Sequence, residues 1–340
     1  MVLTILAAIF VFGLLGLVHE LGHFITAKLT GMRVDEFAIG FGPKLIGYEY
    51  GETMYSIRVI PLGGYNRIAG MEPDDTEAGE RGYFAKPVWA RMIVILAGSV
   101  MNFILPLLLF FGIFFFAGVS TPSPEPVLGG VIAHKPAAEA GLLAGDRITR
   151  IDGKEIDSWK TFTDVIKDGD GKIYKVEFRR GEEDMATSLI PVYDNSSKRS
   201  VVGVLGSVNT EYPGAWQAAV LAVQKTGYII VSMLKGLQQI FTGASAADLA
   251  GPLGVAQMAG EVAQLGFVPL LNFAAFLSLN LGIINLLPVP ALDGGHFMTL
   301  VLEAVRGKPL SARAMQYAQA VGVALLLCLM LFATFNDITR

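Results

Sequence analysis

Apolar residues fill the first eighteen positions of the chain without one charged side chain, and the run continues to about Leu29. Such a stretch is long enough to cross a hydrocarbon core about 30 Å thick. Three later stretches repeat the pattern: Met92–Val119, with Asn102 and Pro106 inside it, Phe267–Leu287, and Tyr317–Phe335. Ala215–Phe241 has the length of a span but a different periodicity. Trp216, Val220, Val223, Gly227, Ile230, Leu234, Leu237 and Phe241 fall on one helical face, and Gln217, Gln224, Lys225, Lys235 and Gln239 on the other. This predicts an amphipathic helix lying on the membrane.

Elsewhere the pattern shortens. Aromatic and β-branched residues flank Gly51-Glu52 from Tyr48 to Ile60, and Pro61-Leu62-Gly63-Gly64-Tyr65 closes the stretch. This predicts a hairpin. It is either a small surface feature or an edge strand that pairs with an unwound substrate. Glu72–Arg81 reads as an acidic loop, and the Pro-rich run Thr121–Pro126 as a linker. Twelve Lys and Arg lie between Lys135 and Arg199, the signature of a soluble domain. Within it, Pro136–Ile156 reads as a short helix, a Gly-Asp turn, an alternating strand and an Asp-Gly hairpin turn.

The expected class is an α-helical polytopic membrane protein of about four spans, with a membrane-associated β-hairpin or sheet and an inserted α+β domain. Its expected segments are 1–29 (first span), 30–91 (β region and loop), 92–119 (second span) and 120–210 (soluble domain). They continue as 211–265 (interfacial helix and linker), 266–293 (third span), 294–316 (loop), 317–335 (fourth span) and 336–340 (tail). Composition agrees: 53% of residues are hydrophobic and only 16% charged, against about 25% in soluble domains. A net charge of −4 gives no reason to expect nucleic acid as a partner. The sole cysteine, Cys328, sits in an apolar run, which excludes a disulfide framework and a thiolate zinc site. The N-terminus lacks a basic region and a small-residue cleavage site, so it reads as a retained span and not a signal peptide.

The chemistry concentrates at His19-Glu20-Leu21-Gly22-His23. On a helix the two histidines lie about 40° apart, one turn from each other. Two such imidazoles can bind one zinc ion, with Glu20 beside the site as general base. The motif lies roughly 25 Å along the first span, near the second interface. A catalytic zinc site commonly has three protein ligands. Asp293 is the best third candidate, because it follows the third span as His23 follows most of the first. With one crossing between them, the first and third spans run parallel and both motifs reach the same membrane face. If Ala215–Phe241 also crossed, Asp293 would emerge on the opposite face. Arg33, Lys44, Arg58, Arg67, Arg81, Lys86 and Arg91, together with the basic loop after the third span, place that face in the cytoplasm. The soluble domain and both termini are then outside. His296 reads as a neighbour of the site and His134 as a surface residue.

His-Glu-Leu-Gly-His in the first span, Asn285-Leu286-Leu287-Pro288-Val289-Pro290-Ala291-Leu292-Asp293-Gly294-Gly295 in the third, and a domain between them resemble the site-two protease family of intramembrane zinc metalloproteases. The nearest form is the bacterial, RseP-like one. Pro136–Ile156 resembles the PDZ domain of bacterial membrane and periplasmic proteases. The resemblance covers essentially the whole chain. It implies Zn2+ held by His19, His23 and Asp293, with Glu20 as catalytic base. It also implies that Asn285, Pro288 and Pro290 position substrate, and that Phe37–Ile60 belongs to a membrane-associated sheet. Ala97–Phe103 is similar to the family's second-span motif, with Ser99 where proline often stands. Some members carry two tandem PDZ domains; here there is room for one. The implied location is a bacterial cytoplasmic membrane, and the implied substrates are transmembrane-helix proteins such as anti-sigma factors or remnant signal peptides. Leu128–Val131 falls where the PDZ peptide-binding loop would lie; the domain either binds a peptide C-terminus or serves as a spacer or gate. The rival reading, an inactive membrane-bound PDZ scaffold, finds no degenerate position among these motifs. A transporter is disfavoured by four spans without internal repeats.

Overall fold

The computed structural model describes residues 1–71, 76–167, 169–194, 198–242 and 251–339. Part of the acidic loop expected at Glu72–Arg81 lies outside them. In chain order the elements are α1 (Val2–Leu29), β1 (Val34–Tyr50), β2 (Thr53–Ile68), α2 (Val88–Gly112), β3 (Val119–Pro122), β4 (Leu128–Val131) and α3 (Pro136–Glu139). There follow β5 (Arg147–Ile151), β6 (Lys154–Glu155), α4 (Trp159–Ile166), β7 (Tyr174–Arg180), β8 (Glu183–Leu189), β9 (Val192–Asp194), β10 (Arg199–Val201), β11 (Val204–Gly206) and β12 (Val208–Glu211). The last five are α5 (Ala215–Phe241), α6 (Pro252–Gln264), α7 (Phe267–Asn285), α8 (Asp293–Arg306) and α9 (Ala312–Thr339). The chain forms two compact units, one of Met1–Ala117 with Gly214–Arg340, the other of Gly118–Pro213.

In the first unit, helix direction follows from which apolar residues meet. Ala7, Val11 and Leu15 of α1 pack against Leu270 and Ala274 of α7, near the start of both helices. The two helices therefore run parallel. Leu109, near the end of α2, joins the same cluster, while Ala97 of α2 lies against Gly22 near the end of α1. So α2 runs the other way. A Cβ on Gly22 would overlap the Ala97 carbonyl; small residues at such contacts let two membrane helices approach closely.

Five helices among the described residues are long and apolar enough to cross a membrane: α1, α2 with its continuation to Ala117, α5, α7 and α9. The least apolar is α5, with a mean hydropathy of 1.2 where the others lie between 1.9 and 2.5. The face of α5 that packs differs from the one expected. Ala218, Ala222 and Thr226 are buried, whereas Trp216, Val223 and Leu234 stay exposed. Small side chains allow α5 to close on Phe110 and Ile113. Lys225, expected on the outer polar face, turns inward to Asn272 of α7 at 2.6 Å and lies 4.5 Å from the Phe110 ring centroid. Two helices stand where linker and loop were expected. One is α6, which packs on α1 through Ala259. The other is α8, whose first residue is Asp293 and which Gly307 ends with φ +69°.

The hairpin is longer than expected and folds back on itself. From Tyr50↔Thr53 outward, β1 and β2 pair as far as Phe41↔Ile60. The base of β1 is then paired on both sides: Phe37 faces Tyr55 and Asn66, and Ala38 faces Ser56 and Tyr65. Glu36 fastens the layers by accepting from Ser56 Oγ at 2.6 Å, Tyr65 Oη at 2.7 Å and Arg58 Nη2 at 2.8 Å. Burial pushes this carboxyl up, but the three donors outweigh it and hold it below its ordinary range. One consequence corrects the sequence reading. Residues 54–57 have strand neighbours on both sides, so Gly51–Ile60 is not the free edge. The outer strands are Lys44–Tyr50, which pairs only with residues 53–58, and Gly64–Ile68, which pairs with β1 on one side and with no strand on the other among the described residues.

In the second unit, β6-β5-β7-β8 form a four-stranded sheet over a core that includes Leu128, Ile148, Ile151, Phe162, Val176 and Phe178. Ser158 caps α4 by accepting from the Thr161 N–H at 3.2 Å. Asp146 is fixed by Arg180 at 2.8 Å. Leu128–Val131, expected to border a peptide site, is covered by β11, and a Cβ on Gly129 would overlap the Gly206 carbonyl. A separate cavity lies between α4 and residues 199–206, lined by Trp159, Phe162, Ile166, Val201 and Leu205.

Phe162 is 2% exposed, so Phe162→Ala should cost about 3–5 kcal/mol; Leu143→Ala, at a 55% exposed site, should cost under about 0.5 kcal/mol. Denaturant titration of the purified chain, followed by a probe in this unit, distinguishes the two. A second prediction concerns pH. Arg81 and Lys28 both donate to Glu52 and bring its pKa down to about 2. A carboxyl lowered on folding contributes stability above its unfolded value of about 4.3 and loses it as pH falls toward the folded value. The thermal midpoint should therefore fall less steeply in Glu52→Gln than in wild type between about pH 4.3 and pH 2. Equal slopes would remove Glu52 from the account.

Candidate active site

The α-helical repeat puts His19 and His23 on one face of α1, with ring centroids 4.8 Å apart. Their Nε2 atoms are 3.2 Å from each other. Asp293 Oδ2 completes a triangle, 3.4 Å from His19 Nε2 and 3.7 Å from His23 Nε2. Among the described residues this is the only group of three or more His, Cys, Asp or Glu side chains close enough to hold a metal ion.

The spacing of the donor set suits zinc. Bonds of about 2.0–2.2 Å in tetrahedral geometry put ligand atoms about 3.3–3.6 Å apart, close to the three distances observed. The far nitrogens agree. His23 Nδ1 lies 2.7 Å from the Val94 carbonyl; a carbonyl only accepts, so the proton is on Nδ1 and the Nε2 lone pair is free. His19 Nδ1 is 3.0 Å from the Asn102 amide. Asn102 Oδ1 is buried without a partner. Turning that amide so its oxygen accepts from Nδ1–H satisfies the orphaned atom and frees His19 Nε2 as well. Two neutral imidazoles and one carboxylate, aimed at one point and braced from behind, fit zinc.

The surroundings explain why the triangle can form. A Cβ on Gly98 of α2 would overlap His23 Nε2, so glycine there makes room for the imidazoles. Ser99 Oγ is 3.3 Å from Asp293 Oδ2 and donates to it. Asp293 arrives on a non-helical bridge from the end of α7. Pro288 and Pro290 lack amide hydrogens and cannot continue a helix, and Ala291 adopts φ +78°, a strained value for a residue with a Cβ. Asn285 is the last residue of α7 and is 9% exposed. Glu20 points toward the sheet, where Asn66 Nδ2 donates to its Oε2 at 2.7 Å and to its main-chain carbonyl at 2.6 Å.

The structure thus brings together His19, Glu20, His23 and Asp293, which sequence reading had singled out, and puts Asn285, Pro288 and Pro290 on the path into Asp293. His296 lies on α8, three residues past Asp293, and faces a cavity shared with Tyr83, Arg91, Glu303 and Leu310. His134 lies in the second unit. Sequence reading missed Asn66 and the bracing roles of Gly98, Ser99 and the Val94 carbonyl. Ser99 and Asn102 sit in Ala97–Phe103, the stretch similar to the family's second-span motif, but nothing in the local pattern marks Asn66, one residue past the expected end of the hairpin.

Residues 7–329 match peptidase family M50. The chain is 33% identical over 417 residues to the regulator of sigma-W protease RasP of Bacillus subtilis, covering 99% of this chain and 98% of that one. The zinc metalloprotease RasP of Bacillus licheniformis is similar at 33%, covering 99% of each. Among solved structures, the PDZ domain of an SdrC-like protein from Listeria monocytogenes matches at 26% identity over 26% of this chain and 93% of that one, with a TM-score of 0.22. A family match over nearly the whole length, full-length relatives that carry the zinc metalloprotease name, and several membrane-length helices lead to one conclusion: this chain belongs to peptidase family M50, as an intramembrane zinc metalloprotease of the site-two protease type.

Proposed function

We propose that His19, His23 and Asp293 hold the zinc and that Glu20 is the general base for cleavage of peptide bonds inside transmembrane segments. The observation that carries this reading is the triangle of 3.2, 3.4 and 3.7 Å between the three ligand atoms. When bound, zinc supplies Lewis-acid polarisation of the scissile carbonyl and makes water acidic enough to attack near neutral pH. Glu20 takes a proton from the attacking water and returns it to the leaving amine.

A transmembrane substrate helix keeps all its amides internally bonded, so it must unwind before a carbonyl is accessible. The free edge Gly64–Ile68 is well placed to receive the extended backbone, because Gly64 already lies against Glu20. Beside it is an apolar cavity of about 410 Å³, lined by Leu15, Gly63, Val255, Leu277 and Ile284, which suits an entering apolar segment. Asn285 orients the substrate, and Pro288 and Pro290 keep the bridge before Asp293 non-helical.

The parallel run of α1 and α7 supports the proposed topology. The chain leaves α2 and enters α7 on one side, so α5 cannot cross alone, and the 13 residues of α6 span only about 20 Å. The site then faces the cytoplasm, Gly118–Pro213 is a PDZ-type domain outside it, and the membrane is the bacterial cytoplasmic one. The substrates are single-span proteins; the sigma-W name of the Bacillus subtilis relative points to an anti-sigma factor, with remnant signal peptides as the second class. A peptide C-terminus fits the groove beside α4.

Three expected outcomes test the assignment. On a single-span substrate in proteoliposomes, Glu20→Gln should lower turnover by about 10²–10⁴-fold with zinc content unchanged. Asp293→Ala should lose both zinc and cleavage; stoichiometric zinc with intact cleavage would refute the ligand set. Chelation should abolish cleavage, and added Zn2+ should restore it in wild type but not in His23→Ala.

A further inference from the structure

Side chains of a strand alternate between its two faces. Along the edge Gly64–Ile68 of β2, Tyr65 lies across one face of the sheet and donates to Glu36 at 2.7 Å. Gly64 and Asn66 point the other way, onto α1. A Cβ on Gly64 would overlap the Ala38 carbonyl of β1 and sit 3.3 Å from Glu20 Cγ, and one residue earlier a Cβ on Gly16 of α1 would overlap the Gly63 backbone, so glycines let the strand pair closely with β1 and lie against the helix. Asn66 then fills the space beside it. Its amide bridges two acceptors of one residue, the Glu20 main-chain carbonyl at 2.6 Å and the carboxylate Oε2 at 2.7 Å.

The amide orientation is set by chemistry. A carbonyl oxygen can only accept, so the nitrogen of Asn66 must face it. Its second hydrogen then points to the carboxylate. Glu20 is held at both ends: its backbone by α1 and its carboxylate by a side chain from another element. The carboxylate's second oxygen, Oε1, keeps its lone pairs for a proton. A free glutamate has three rotatable bonds; one bridging amide removes most of that freedom.

We infer that Asn66 is a positioning residue for the reaction, fixing the general-base carboxylate of Glu20 and making its alignment depend on the sheet edge. This rests on the proposed role of Glu20. Because Asn66 lies on the strand proposed to receive substrate, the same few residues set where the base stands and where the substrate backbone runs. An amide is required there. A carboxylate at the same place would oppose both Glu20 oxygens, and a methyl group would leave the base free to swing.

The test uses the full-length, zinc-loaded protein in proteoliposomes with a single-span substrate, comparing wild type, Asn66→Ala, Asn66→Asp, Asn66→Gln and Glu20→Gln. Zinc content and thermal midpoint are measured for each, and kcat is expressed per zinc-loaded folded enzyme. Asn66→Ala should lower kcat by about 10–100-fold while KM stays within about twofold of wild type. Asn66→Asp should be slower still, and Asn66→Gln should recover part of the loss. The inference is overturned if Asn66→Ala keeps kcat within about twofold, if the change falls on KM alone, or if the loss merely follows a loss of zinc or folded protein. Failure of the underlying reading looks different: Glu20→Gln would then cleave as fast as wild type.

Discussion

His19 and Asp293 come from opposite ends of the chain, and their ligand atoms meet 3.4 Å apart. That meeting is possible only because α1 and α7 run in the same direction, and the rest of the helical unit follows from it. Between them, α2 runs the other way. Whatever lies between α2 and α7 must return the chain to the side it left. A lone crossing by α5 would carry the end of α7, and Asp293 with it, to the far side of the bilayer. The triangle of His19, His23 and Asp293, a few ångströms wide, therefore constrains the topology of more than a hundred residues between the two motifs.

The central position of α2 carries the second constraint. It presents Gly98 to the imidazoles, Ser99 to Asp293, Asn102 to His19 and the Val94 carbonyl to His23. It also accepts a hydrogen bond from Ser278 of α7 at the Asn102 carbonyl, 2.9 Å away. At its other end Arg91 pairs with Glu303 of α8 at 2.6 Å, and Tyr83 and Phe84 lie within 6 Å of the guanidinium. A buried ion pair gives little net stability, because desolvation offsets the attraction, but it demands one geometry. Here it fixes the helix that begins with Asp293. The orientation of the three candidate ligands thus comes from one helix braced against three neighbours, and two glycines, Gly22 and Gly98, set how near that helix can come.

The sequence made the polar exceptions visible and left the packing obscure. His19, Glu20, His23 and Asp293 stood out because ionisable groups are costly in apolar stretches, and the spans stood out because hydrocarbon thickness sets their length. The packed face of α5 could not be read the same way. In lipid, large apolar residues gain nothing by turning inward, so the helix packs through Ala218, Ala222 and Thr226 and leaves Trp216 outside. Helices α6 and α8 were hidden because neither is long or apolar enough to declare itself. The folded hairpin was hidden for another reason. Period-two patterning announces strands but not which strand lies beside which, and the double pairing of Phe37 and Ala38 puts residues 54–57 inside the sheet and Gly64–Ile68 at one of its edges. Asn66 belongs to that edge, and its role is set by a neighbour 46 residues away.

In the proposed reaction, the backbone of an unwound substrate must find hydrogen-bond partners where water is scarce. The strand Gly64–Ile68 can serve that need without disturbing the catalytic group, because a strand offers three separate directions. One face belongs to the sheet, through Tyr65 and Glu36. The other belongs to α1, through Gly64 and Asn66. The lateral edge, with its unpaired main-chain groups, belongs to neither and remains for a substrate. A helix in the same place would offer no free backbone groups, and a strand in the middle of the sheet would have spent them. An edge strand packed on a helix through glycines, Gly63 on Gly16 and Gly64 beside Glu20, is the arrangement that leaves the backbone open while both faces stay occupied.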